Sequence, residues 1–173
     1  MAYGYCGTEA KFVGWLQSAL RSVWSKHPAK LALIEKKRVR LKVGTSNKMI
    51  FHIQCEHCKQ LFKQKDIECN HKKAAGGLSN LADLEQYVRN LLVVHESDLE
   101  LLCHECHGIV TYMERYGVSK RDAIIEKKCI AFYKLTDKEQ IAKCKLAKMD
   151  PIPKTKIGRK NAVREYLRKN LPQ

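Results

Sequence analysis

The chain has no long apolar run and no signal-peptide pattern. Its 173 residues contain no stretch of about 18 consecutive apolar side chains, the length that a membrane-spanning helix requires. The first residues, MAYGYCGTEAKF, are polar and lack the apolar core of a signal peptide. These absences favour an intracellular protein with no membrane partner. In that setting, the eight cysteines are expected to bind metal or remain free thiols rather than form disulfides.

Acidic residues are also scarce, since 18 Asp and Glu face 33 Lys and Arg, which leaves a net charge of +15. The imbalance is confined to the two ends of the chain. Residues 1–48 carry ten basic and two acidic side chains, and residues 118–173 carry sixteen and six. Residues 49–117 carry seven and ten. Basic flanks of this kind favour a polyanion partner such as nucleic acid, with a merely solubilising surface as the alternative.

Apolar periodicity predicts helices first and strands afterwards. Residues 9–24, EAKFVGWLQSALRSVW, place apolar side chains three and four positions apart, which predicts an amphipathic helix. A second helix is expected over 29–38 and a loop over 44–48. From residue 49 the pattern alternates, so KMIFHIQCEHC predicts a strand, and LFKQKDIECNH predicts its hairpin partner.

The rest of the chain is predicted to be mainly helical. Ser79 or Asn80 is expected to cap a helix over LADLEQYVRNLLVV. A short extended stretch then leads into a helix that ends at Gly117. The lysine-rich tail is expected to be helical, with a break at DPIPK, residues 150–154, before a final basic helix. No internal repeats or low-complexity tracts are present.

Four cysteines form two Cys-x-x-Cys pairs, Cys55 with Cys58 and Cys103 with Cys106. Tetrahedral zinc takes four soft ligands, and each pair can present two thiolates to one ion. The spacing therefore predicts a structural zinc site, with a redox or disulfide role as the alternative. A closed four-sulfur site has no open coordination position, so its expected role is to stabilise the fold.

The pairs, the strand that ends in His71 and the segment LELLCHECH together resemble the HNH endonucleases of the ββα-metal fold. The zinc-stapled form common in phage genomes is the most similar. The resemblance covers about residues 10–117 and is strongest over 52–111; FVGWLQSALRSVW is also similar to a helix of phage HNH proteins. It implies an α+β fold with a ββα-metal core and metal-dependent hydrolysis of double-stranded DNA. It also implies a phage-encoded protein in the cytoplasm of its host, with a role in homing, packaging or DNA degradation.

The resemblance also assigns catalytic roles. His71 matches the general base, and a neutral histidine can take a proton from water near pH 7. His107 matches the metal-binding histidine of the helix, and Asn70 stands at the first metal ligand, which is usually Asp or His. Asp98 stands where the family has its central Asn. The divalent ion at Asn70 and His107 would act on the scissile phosphate.

Three departures from the family pattern bear on activity. Asn70 offers a neutral carbonyl where Mg²⁺ prefers a carboxylate, so softer ions such as Mn²⁺, Co²⁺ or Ni²⁺ become competitive with it. Asp98 lacks an amide donor, and it could instead reach the metal with the Asn and Asp roles exchanged. Val110 replaces the family's lysine. Glu68 shares a strand face with Asn70 and could assist the metal site.

The sequence thus predicts a basic helical N-terminal arm at 1–48, an HNH core with its zinc site at 49–117 and a basic helical DNA-binding arm at 118–173. A helix-turn-helix with Gly158 in its turn is one possibility for the last arm. The residues expected to contact phosphates are Lys72, Lys73, Arg159, Lys160 and Arg164. Two alternatives to the endonuclease are a zinc-stapled nucleic-acid-binding protein with a degenerate active site and a redox-responsive zinc protein.

Overall fold

A computed structural model of the chain describes residues 3–42 and 48–171. These residues form an α+β structure with two small antiparallel sheets. The helices are α1 (Glu9–Ser25), α2 (Pro28–Lys37), α3 (Leu84–Leu92), α4 (His104–Tyr116), α5 (Lys120–Tyr133), α6 (Asp137–Leu146) and α7 (Lys156–Asn170). The strands are β1 (Val39–Lys42), β2 (Met49–Gln54), β3 (Leu61–Lys63), β4 (Ile67–His71) and β5 (Leu99–Cys103). No helix among the described residues is both long and apolar enough to cross a membrane.

The chain divides into two compact units, Met1–His107 and Gly108–Gln173. The division falls within α4 rather than at the predicted boundaries, 48 and 117. The helices of the predicted N-terminal arm belong to the same compact unit as the cysteine pairs. The loop predicted over 44–48 lies, apart from Lys48, outside the described residues.

The two sheets of the first unit correct one strand pairing. The predicted strand is confirmed as β2, and β1 and β3 pair with it on either side. The segment LFKQKDIECNH, however, is not one hairpin partner: only β3 at its start pairs with β2. A 3-10 turn, Gln64–Asp66, then leads into β4, which pairs with β5. The β4–β5 sheet continues directly into α4.

Two apolar clusters hold the first unit together. The buried residues of one are Val13, Leu78, Tyr87 and Leu91. The buried residues of the other are Leu33, Ile53, Leu99 and Leu101. Trp24 of α1 packs against both clusters. The amphipathic stripe predicted for α1 is therefore the surface that joins this helix to β5 and α3.

Local signals set the ends of several helices from α1 to α4, and they confirm two predictions. Thr8 caps α1, because its side chain accepts a hydrogen bond from the Lys11 amide. Of the two predicted caps, Asn80 acts on the turn that leads into α3, where its Oδ1 accepts from the Asp83 amide at 3.1 Å. Gly117 follows α4 with a φ of +62°, the left-handed conformation typical of a glycine that ends a helix.

The second unit is built on α5, α6 and α7. The buried side chains of α5 are Ala123, Ile125, Cys129 and Phe132. Gln140 and Cys144 are buried on α6, and Arg159 is buried on α7. The predicted break between α6 and α7 is confirmed. Gly158 lies in the first turn of α7, so the helix-turn-helix with this glycine in its turn is wrong.

Candidate functional site

The four cysteines of the two pairs lie together at the meeting point of β2, β5 and α4. Their Sγ atoms all lie within 4.8 Å of one another. Cys58 Sγ and Cys103 Sγ are 4.0 Å apart. Two sulfurs of a tetrahedral four-sulfur zinc site are expected to lie about 3.8 Å apart, which is close to this distance. The donor set and its spacing therefore fit a metal ion such as zinc, as the sequence spacing predicted.

The thiols of this cluster do not ionise equally. Burial opposes ionisation of Cys55, but hydrogen bonds from the backbone of Cys103, Cys58 and His57 outweigh it and lower the Cys55 pKa to about 6. Burial and the neighbouring thiols raise the pKa of Cys106, and burial raises that of Cys58. Each added thiolate repels the others, so a divalent cation is the group that would let all four ionise together.

His71 lies at the end of β4 and is 9% exposed. Its Nε2 is 3.0 Å from the Leu91 carbonyl oxygen. A carbonyl only accepts, so Nε2 carries the hydrogen and Nδ1 keeps the lone pair of the neutral ring. The Trp24 ring lies against it, with centroids 4.2 Å apart. Burial lowers the His71 pKa below 6.5, so the ring is neutral at pH 7.

His71 lines a cavity of about 340 Å³ together with three cations, Lys72, Lys73 and Arg89, and the acid Asp98. Lys72 Nζ donates to the Ser97 carbonyl at 2.7 Å. The structure thus brings the predicted general base, His71, to one cavity with Asp98 and both predicted lysines. Arg89 is paired with Glu85 at 2.9 Å, so the two lysines supply the excess over Asp98 that makes this cavity attractive to an anion.

Asp98 uses its carboxylate and its carbonyl to close the loop beside His71. Its Oδ2 accepts from the His95 amide at 2.8 Å, within the 3-10 turn Glu96–Asp98. Its carbonyl oxygen accepts from the Lys72 amide, also at 2.8 Å. Its own amide donates to the His95 carbonyl at 3.0 Å. Asp98 therefore closes the loop on itself at His95 and ties it to the end of β4 through its carbonyl.

The opposite face of β4 carries a different set of polar groups. Side chains alternate along a strand, so Glu68 and Asn70 face away from His71. Asn70 is paired in register with Glu100 of β5, and its Nδ2 donates to Glu100 Oε1 at 3.0 Å. The other oxygen of Glu100 accepts from His57 Nε2 at 3.0 Å.

His107 also belongs to this face, but its contact is with Glu68. His107 Nδ1 lies 2.7 Å from Glu68 Oε2, and the second oxygen of the same carboxylate contacts His104 Nδ1. The sequence predicted that Asn70 and His107 would share an ion, whereas the amide of Asn70 is engaged by Glu100. Strand alternation indicated Glu68. The roles of Glu100, His57 and His104 depend on strand register and on the first turn of α4, which the sequence pattern does not specify.

Three of the basic residues predicted to bind phosphates lie in the second unit, and each contacts other groups of that unit: Arg159, Lys160 and Arg164. Arg159 is 2% exposed, forms an ion pair with Asp137 and donates to Gln140 Oε1 at 2.9 Å. Arg164 forms a two-pronged ion pair with Glu126, whose pKa it lowers. Both guanidinium groups are therefore engaged by acceptors of their own unit. Lys160 lies 5.6 Å from the centre of the Tyr133 ring.

The chain matches no family model, and it has no significant similarity to a curated protein or to a solved structure. The contacts around β4 are therefore the basis for assigning a function. They define two chemically distinct sides of β4. One is the cationic cavity at His71, and the other is the acid–imidazole face around Glu68, Glu100 and His107.

Proposed function

We propose that the protein is a metal-dependent DNA endonuclease of the HNH type, stapled by a structural zinc ion at the four cysteines. The observation that carries the proposal is that two different sets of polar groups lie on the two sides of β4 at its end. His71 lies on one side in a cationic cavity, and Asn70 and Glu68 lie on the other side with His107 of α4. A general base and a metal-binding pair on either side of a strand end would flank a phosphodiester bound there.

His71 would act through Nδ1. The hydrogen bond from Nε2 to the Leu91 carbonyl orients the ring and leaves the Nδ1 lone pair to accept a proton from water. The lowered pKa keeps this nitrogen unprotonated at neutral pH. Lys72 and Lys73, which line the same cavity, would attract the phosphates on either side of the scissile bond.

The carboxylate and imidazole groups on the face of β4 opposite His71 are suited to binding a divalent ion. Carboxylate and imidazole donors face each other there, and this mixture suits Mn²⁺, Co²⁺ or Ni²⁺ at least as well as Mg²⁺. Such an ion would stabilise the negative charge that develops on the phosphate and its leaving oxygen. In this proposal the partner is double-stranded DNA, and the protein is phage-encoded and acts in the cytoplasm of the host.

The test is cleavage of supercoiled plasmid by the zinc-loaded chain with Mg²⁺, Mn²⁺ or Ni²⁺. We expect His71→Ala to lose at least about a hundredfold in rate, the usual contribution of a general base. His52→Ala, in β2 of the other sheet, is the matched control and should cleave as the natural chain does. Equal cleavage by the natural chain and His71→Ala would contradict the general-base assignment.

A second candidate, a zinc-stapled nucleic-acid-binding protein without catalysis, is favoured by the state of Asn70. This residue is neutral, and its amide is held by Glu100. If the natural chain binds duplex DNA but cleaves it with none of the three metals, this candidate replaces the nuclease.

A further inference from the structure

We infer that Glu68, rather than Asn70, supplies the carboxylate that binds the divalent ion, with His107 as its imidazole partner. The inference rests on the proposed function only for what the ion would do. The ion site itself can be tested without any cleavage.

Strand geometry gives Glu68 access to this position. Glu68 and Asn70 are two residues apart on β4, so both side chains point to the same face about 7 Å apart. The Glu68 side chain is one methylene longer, and its Oε2 lies 2.7 Å from His107 Nδ1. The carboxylate that a hard divalent ion requires is therefore already beside the histidine expected to bind it.

Asn70 cannot take this part. Asn70 is 9% exposed, and its Nδ2 donates to Glu100 Oε1, which fixes the orientation of the amide. The only group that it can offer an ion is a neutral carbonyl oxygen. Glu100 has the necessary charge, but its side chain is only 12% exposed and lies between Asn70 and His57. The two oxygens of Glu68 also have partners, His107 and His104, but the Glu68 side chain is 37% exposed.

The Glu68–His107 pair is also suitably open. The two side chains are 37% and 29% exposed, so an ion that replaces their direct contact would remain open to water or a phosphate oxygen. Across residues 3–42 and 48–171, the four cysteines are the one group of three or more His, Cys, Asp or Glu side chains gathered closely enough to hold a metal. The cysteine cluster thus resembles a closed structural site, and the Glu68–His107 pair resembles an incomplete site that leaves positions for substrate.

The test measures Mn²⁺ binding by electron paramagnetic resonance on the full chain loaded with one equivalent of zinc. We expect the natural chain to bind one Mn²⁺, and Glu68→Gln and His107→Ala to bind it at least about tenfold more weakly. Asn70→Ala should stay within about threefold of the natural chain. Glu105→Gln is the matched control, because it removes a carboxylate from the same turn of α4. Zinc content and circular dichroism of each variant verify that the fold is retained.

Three results would overturn the inference. They are no Mn²⁺ binding by the natural chain, binding by Glu68→Gln within threefold of it, and a loss confined to Asn70→Ala. The second result would mean that Glu68 only orients His107, since a glutamine can still accept the Nδ1 hydrogen. Glu68-dependent Mn²⁺ binding without plasmid cleavage would support the ion site and contradict the nuclease.

Discussion

The two compact units of this chain are stabilised by different chemistry. The first gathers four cysteines whose thiols can ionise together only around a cation, and it places the other polar groups of the candidate site on the two sides of β4. In the second unit, arginine side chains link the helices to one another. It contains seventeen basic and seven acidic residues, against sixteen and eleven in the first. The more basic unit is thus the one whose predicted phosphate-binding arginines, Arg159 and Arg164, are used internally.

This contrast shows that an excess of basic residues does not by itself leave their cations free to meet a ligand. Gln140 of α6 illustrates the difference, because its Nε2 donates to three carbonyls at the end of α5 while its Oε1 accepts from Arg159. Arg159 completes that network, and its side chain is buried there away from water. Lys72 and Lys73 are only two cations, far fewer than the basic residues of the second unit, but they line an open cavity in the first unit. Placement, more than number, decides which cations can meet a phosphate.

The largest expected effect is the loss of the first unit when its metal is removed. Structural zinc contributes about 10–16 kcal/mol in small domains, as much as the whole stability of a typical fold of about 5–15 kcal/mol. Chelation, or Cys55→Ser, should therefore abolish hydrogen-exchange protection in β4 and β5 while α5 and α7 keep theirs. Cys6→Ser, outside the cluster, is the control. Uniform loss of protection in both units would show that they do not differ in this way.

The second unit should respond most strongly to the loss of its buried arginine. Arg159→Met leaves Gln140 Oε1 and the carbonyls of Pro153 and Lys154 without their donor, which should cost about 3 kcal/mol. The measurement is the denaturant dependence of protection in α6 and α7. Arg168→Met, whose side chain is 51% exposed in its pair with Glu165, should cost less than about 0.5 kcal/mol. Equal effects of the two substitutions would argue against a structural role for Arg159.

Acid should impair the proposed chemistry of the first unit and leave the second unit intact. Burial places the His71 pKa below 6.5, so the base is unprotonated above that value and becomes protonated as the pH falls through its pKa. Single-turnover cleavage should be flat near pH 7 and fall about tenfold per pH unit on the acid side. Glu126 has a lowered pKa and stays ionised, so the helical signal of the second unit should not change between pH 5 and 8. An inflection above pH 6.5 would contradict this assignment.

The smallest expected effect is a change in the salt dependence of DNA binding, which should differ between Lys73 in the cavity and Arg164 in its ion pair. Lys73→Ala should reduce the slope of log affinity against log salt for duplex DNA by about 0.9, the value for one phosphate contact. Arg164→Gln should leave that slope unchanged, because both prongs of its guanidinium bind Glu126. Fluorescence anisotropy at several salt concentrations measures both. A lower slope for Arg164→Gln would restore this arginine to the interface.

The sequence by itself determined the features that depend on neighbouring residues. Apolar spacing predicted α1, Asn80 was one of two predicted caps, and Gly117 marked the end of α4. The two cysteine pairs predicted their own cluster, because only a shared ion makes that spacing of soft ligands useful. The sequence also predicted the alternation of side chains along β4, which places His71 on one face of the strand and Glu68 and Asn70 on the other.

Tertiary structure decided which of these groups meet. The bond of His71 to Leu91, the pairing of Asn70 with Glu100 and the contact of Glu68 with His107 join residues between 20 and 39 positions apart. Strand register and the start of α4 fix these pairs, and neither is encoded in a local period. Burial of Arg159 follows in the same way from the packing of α6 and α7. The sequence specified the chemical groups of the candidate site, and long-range packing specified their partners.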